Sequence, residues 1–104
     1  MHKRRGRRLR DKALVRYGDV IYERDLQLLQ RAAFDRAVAG DYENHEGLAA
    51  RAGCHRSTVS AFLRGDKQVS METALAILVE LRLTFDQAHR FVRMADPTDK
   101  ERQR

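Results

Sequence analysis

A single cysteine, Cys54, among 104 residues excludes an internal disulfide framework. It fits a reducing compartment. No apolar run approaches the ~20 residues of a membrane-spanning helix, so no membrane partner is expected. The N-terminus is charged and lacks the apolar segment of a secretory signal. Catalytic signatures are missing too: there is no nucleophile elbow, P-loop or metalloprotease motif. Acidic residues fall mainly at helix starts and on solvent faces, so neither an enzyme nor a cofactor is expected. The Cys54-His55 pair does not make a metal site, since structural zinc takes about four N or S ligands. His2, His45 and His89 lie on a tail and on two different helices, without ligand spacing. Cys54 is expected to pack as a small apolar residue. The one proline, Pro97, falls after the last periodic segment, where it acts as a stop. No internal repeat or low-complexity block is present.

Charge is abundant and unevenly placed. The net charge is +6. Residues 1–12 hold Lys3, Arg4, Arg5, Arg7, Arg8, Arg10 and Lys12 against Asp11, whereas the remainder holds 14 side chains of each sign. The whole excess therefore sits in an N-terminal arm. With almost no apolar content, residues 1–12 are expected to be disordered in isolation. Such an arm suits phosphate contact and electrostatic steering. The alternative is a solvated terminus without a specific role.

The length fits one small domain. Residues 13–23 place Leu14-Val15-Arg16-Tyr17 and Val20-Ile21-Tyr22-Glu23 around Gly18-Asp19. Two β-prone runs about a two-residue turn suggest a short hairpin or extended segment. The other reading has Asp19 capping an early start of helix one. Residues 24–95 form the helical domain. Helix one is expected over about Arg24–Ala39, with Leu26, Leu29, Ala33 and Ala37 on one face and Phe34 beside them. Helix four is expected over Met71–Leu81, capped by Ser70, with Ala74, Leu75, Leu78 and Leu81 buried. Helix five is expected over Phe85–Met94, opened by a Thr84/Gln87 capping box and burying Ala88, Phe91, Val92 and Ala95. Residues 96–104 read as a charged, frayed tail.

Residues 44–65 carry the most information. Asn44 is a good N-cap. Leu48, Ala49 and Ala52 recur at helical spacing, and Ala49 is small where a second helix must cross closely. Gly53 ends the first helix at a position suited to the left-handed conformation. A second helix then spans Arg56–Arg64. Val59, Phe62 and Leu63 share its inward face. Ser57, Ser60, Ala61 and Arg64 share the outer one, with Arg56 at its edge. Gly65-Asp66 supplies the stop. Two helices held this way place the second in the major groove of DNA.

This pattern resembles the lambda-repressor/Cro-like helix-turn-helix proteins of the Xre type. The matching positions are Ala49, Gly53, Val59 and Phe62, and the resemblance runs from about Leu26 to Ala95. Ser70–Leu75 looks like the opening of that family's fourth helix, and Leu83–Gln87 like the approach to its fifth. His45, His55, Leu63 and Arg82 depart from the usual residues. Arg82 stands where glycine often ends helix four, so φ > 0 is expected there.

The resemblance implies an all-α, five-helix domain that binds double-stranded DNA in the major groove. Arg56, Ser57, Ser60 and Ala61 are the implied base readers. Arg56 suits guanine O6 and N7, and Ala61 suits a thymine methyl. His45, Arg64 and Lys67, with Arg4, Arg5, Arg7 and Arg8 of the arm, are the candidate phosphate contacts. Arg51 is a weaker candidate. The family commonly binds as a two-fold dimer, here through helix five with Phe91 and Val92, or through Val20–Tyr22. The leading expectation is a cytoplasmic transcriptional regulator of a prokaryote or phage, a repressor. The alternatives are an antitoxin that also binds a toxin, a protein-binding helical adaptor, and RNA binding through the arm.

Overall fold

The computed structural model describes residues 11–42, 44–66 and 69–96. Arg4, Arg5, Arg7, Arg8 and Lys67 lie outside the described residues, as does the tail beyond Asp96.

The described chain opens in a hairpin. β1 (Lys12–Tyr17) and β2 (Val20–Asp25) pair antiparallel from Lys12↔Asp25 to Tyr17↔Val20. Gly18-Asp19 is left as the two-residue loop, and Gly18 takes φ 63°, a sign that such hairpin turns require. Ala13, Val15 and Tyr17 alternate inward along β1 and join the core. Five helices follow: α1 (Leu26–Val38), α2 (His45–Ala52), α3 (Arg56–Arg64), α4 (Met71–Leu81) and α5 (Phe85–Ala88). β3 (His89–Met94) closes the described chain. It pairs antiparallel with β2, giving a sheet of order β1-β2-β3.

This sheet overturns the all-α expectation. The helix expected over Phe85–Met94 stops after four residues at Ala88, and His89–Met94 is extended. The spacing of Ala88, Phe91 and Val92 fits a helical face, but a second force acts on these residues. β2 has a free row of N–H and C=O groups on the side away from β1. Pairing from Arg24↔His89 to Val20↔Met94 satisfies that row. Aromatic Phe91 and β-branched Val92 tolerate extension well. Both dimer surfaces expected from sequence change with this result. Phe91 and Val92 lie on a strand, and Val20–Tyr22 belongs to the central strand, whose backbone is paired on both sides.

Local chemistry sets the helix ends. Arg24 and Asp25, expected in helix one, belong to β2, and Asp25 caps α1 by accepting from Leu28 N–H at 3.0 Å. Ser70 caps α4 through Thr73 N–H at 3.1 Å. Thr84 and Gln87 form the expected reciprocal box at 3.1 and 2.8 Å. Arg82 ends α4 at φ 62°, ψ 39°, in the left-handed region. Leu26, Leu29, Leu48, Val59, Phe62 and Ile77 are fully buried and form the centre of the core. Leu75, expected in the buried stripe of α4, is instead 42% exposed.

Candidate nucleic-acid interface

The α2–turn–α3 unit is built from contacts within its own sequence. The Asn44 side chain accepts from Gly47 N–H at 3.0 Å and opens α2. Gly53 takes φ 76° and donates back to the Ala49 and Ala50 carbonyls, a conformation cheap only without a Cβ. His55 then caps α3 in the role usual for serine or threonine: its Nδ1 accepts from Ser57 N–H at 3.0 Å. Only an unprotonated Nδ1 can accept, so the cap requires the neutral ring with its proton on Nε2.

α3 presents a sharply divided surface. Val59, Phe62 and Leu63 are buried against the core, with Ala49 of α2 also buried. Arg56, Ser57 and Arg64 are exposed, and Ser60 is half-buried. These four, with His45, line an open groove of about 980 Å³ whose opposite wall includes Ala33 and Phe34 of α1. Ala61 is the exception among the candidate base readers, being 7% exposed. At about 100° per residue it stands about 40° from Ser57 on the side away from Ser60. That rotation turns a short methyl inward, so Ala61 leaves the open arc.

The polar groups on the arc are partly committed. His45 Nδ1 lies 2.9 Å from Ser60 Oγ and ties the start of α2 to the middle of α3. Ser57 Oγ is 2.8 Å from His55 Nδ1. Arg64 Nε donates to Asp66 at 2.7 Å across an exposed pair. Arg51 pairs with Glu80 at 2.9 Å, consistent with a surface role. Arg56 is the cation of the arc for which the described residues provide no hydrogen bond or ion pair.

Beneath α3 lies a buried polar cluster that sequence reasoning missed. Arg24 is completely buried. Its Nη2 donates to Tyr17 Oη at 2.7 Å, its Nε to His89 Nε2 at 3.1 Å and its Nη1 to the Phe62 carbonyl at 3.4 Å. The guanidinium also sits 4.1 Å from the centre of the Phe62 ring, a favourable cation–π placement. Phe62 lies in the last turn of α3, where exposed carbonyls favour a positive charge. His89 donates from Nδ1 to the Phe85 carbonyl at 3.2 Å, because its Nε2 is the acceptor for Arg24. Its ring stacks on Phe85 at 4.1 Å.

Each titration follows from this enclosure. Burial, then the neighbouring Arg24 charge, lowers the His89 pKa to about 4. Burial raises that of Tyr17, against the opposing pull of Arg24. Burial lowers that of Arg24 itself, partly offset by Tyr17. All three strands thus meet α3 at one cationic knot. The signal available in sequence was the alternation of β2: carried two residues past Tyr22, it points Arg24 inward.

Among the described residues no group of histidine, cysteine and carboxylate side chains is arranged to hold a metal, and no helix is long and apolar enough to cross a membrane. Residues 45–87 match a protein family described as Helix-turn-helix. No curated protein and no solved structure matches the chain.

Proposed function

We propose how residues 45–87, a helix-turn-helix domain of the lambda-repressor/Cro-like Xre type, use the DNA-binding chemistry of that family. The carrying observation is the divided surface of α3: Val59, Phe62 and Leu63 anchor it, while Arg56, Ser57, Ser60 and Arg64 remain on the open arc. α3 lies in the major groove. Arg56, with no competing partner among the described residues, donates to guanine O6 and N7. Ser57 and Ser60 hydrogen-bond base edges and discriminate less. His45 orients Ser60 and faces a phosphate near the N-terminus of α2, where the helix dipole favours an anion. Arg64 exchanges Asp66 for a phosphate. Lys67 and the arm residues Arg4, Arg5, Arg7 and Arg8 add sequence-independent attraction.

The protein binds as a homodimer on two half-sites, since one motif reads only a few base pairs. It acts as a repressor by occupying its operator, in the cytoplasm of a prokaryote or on behalf of a phage. A second reading, an antitoxin with a protein partner, is favoured by the exposed Phe91 and Met94 of β3. Selection of bound sites from random duplex DNA tests the main reading. An enriched motif with two related halves about one helical turn apart supports it. A pool that never enriches, even at low salt, overturns it.

A further inference from the structure

α4 has two faces that the core does not treat alike. Ala74, Ile77, Leu78 and Leu81 are buried. On the other side Leu75 and Val79 are 42% and 69% exposed, and Met71 beside them 37%. Glu72 and Arg82 are exposed at the two ends of this apolar strip. Glu72, Leu75 and Val79 are spaced three and four apart on α4, the repeat of a helix-pairing seam, and Arg82 follows at its C-cap. The order along the seam is acid, apolar, apolar, base.

That order is self-complementary under a two-fold axis. An antiparallel copy of α4 sets Glu72 against the second copy's Arg82, and Leu75 against the second copy's Val79. The same pairs recur on the other side of the axis, as an isologous contact demands. A parallel copy instead sets Glu72 against Glu72 and Arg82 against Arg82, so the charges also select the orientation. Arg82 carries a further mark. It holds φ 62° without being glycine, a conformation that is costly for a side chain with a Cβ. Within the protomer its guanidinium reaches Asp41 only at 3.7 Å, with the side chain 70% exposed. The conformation closes α4, the Arg82 N–H donating to the Leu78 and Val79 carbonyls, and it leaves the guanidinium turned out at the end of the strip.

We infer that α4 is the homodimer surface: two copies pair antiparallel through Leu75 and Val79, locked by Glu72–Arg82 bonds at both ends. The inference deepens the dimeric reading above but is measured without DNA, so either can fail alone. One helix pair is a small contact, of the size seen in weak association. Sedimentation equilibrium of the full chain should therefore show a reversible monomer–dimer equilibrium between about 1 µM and 1 mM.

Leu75→Glu should leave a monomer across that range. Glu72→Arg and Arg82→Glu should each weaken association by about tenfold or more, by placing like charges together. The double variant E72R/R82E restores the pairs with inverted sign, and its dimer should return to within about threefold of the wild type. Melting curves confirm that each variant is folded. If Arg82→Glu does not fold, Leu75→Glu and Glu72→Arg still decide the matter. A wild-type chain that stays monomeric overturns the inference, even if another protein then binds α4. So does a dimer indifferent to Leu75→Glu and Glu72→Arg, or a folded double variant as weak as its parents.

Discussion

The α2–α3 unit and the sheet beside it are held together over different distances along the chain. Its caps link near neighbours: Asn44 to Gly47, His55 to Ser57, and Gly53 back to Ala49 and Ala50. The sheet depends on remote partners. Arg24 meets Phe62 thirty-eight residues away and His89 sixty-five away, and Glu23 meets Arg90 across sixty-seven. The unit that presents the polar arc is thus defined by a few adjacent residues. The frame that fixes its orientation is assembled from both ends of the described chain. Damage to a cap should loosen one helix, and damage to the frame should unfold the domain.

The largest test of that contrast is Arg24→Ala. It removes a buried guanidinium and leaves Tyr17 Oη and His89 Nε2 without their donor. Chemical denaturation should show a loss of about 3–5 kcal/mol, as for breaking other buried charged networks. A loss below about 1 kcal/mol, the scale of an ordinary surface change, would refute the frame's dependence on this knot. Gly65→Ala comes next, where α3 ends against the sheet. Gly65 stands at φ 71°, and an added Cβ would meet Ala13 Cβ at 2.7 Å and Leu26 Cδ1 at 3.0 Å. Left-handed strain and overpacking together predict about 2–4 kcal/mol by thermal or chemical unfolding.

Acid should expose the frame in the same way. The folded His89 pKa of about 4 lies below its ordinary 6.5, so the unfolded chain takes up a proton first as pH falls. The neutral ring's contribution is complete above about pH 6.5 and declines from there to about pH 4. The decline should be roughly 3 kcal/mol. Stability measured across that window should fall in the wild type and fall less in His89→Gln; equal slopes would show that His89 is not the titrating group. The smallest effect belongs to the local unit. His55→Ala should cost about 1 kcal/mol, and His55→Ser should recover most of it, since a hydroxyl also accepts at an N-cap. Equal stability of all three would remove the cap.

The same distinction explains what could be read before any coordinates. Gly53, the spacing of Val59 and Phe62, and the Arg56–Arg64 span carry their causes within a few residues, and the structure places α3 over that span. The left-handed Arg82 and the Thr84/Gln87 box are legible for the same reason. β3 is not, because it forms by pairing with β2, and nothing in residues 89–94 names that partner. Ala61 shows a finer limit: a stripe drawn on a helix resolves about one residue step, and a methyl about 40° beyond Ser57 is already buried. For Arg24 only the strand alternation of β2 signals an inward side chain, and its partners Tyr17, Phe62 and His89 are supplied by three-dimensional enclosure.

The arc on α3 is tested most directly by binding of Arg56→Ala to the selected duplex and to single-base variants of it. An intact fold is expected, with a loss of about 1–3 kcal/mol on the preferred site and relaxed preference at one base position, read as guanine. A folded Arg56→Ala protein that keeps wild-type affinity and the same base preference at every position would contradict it.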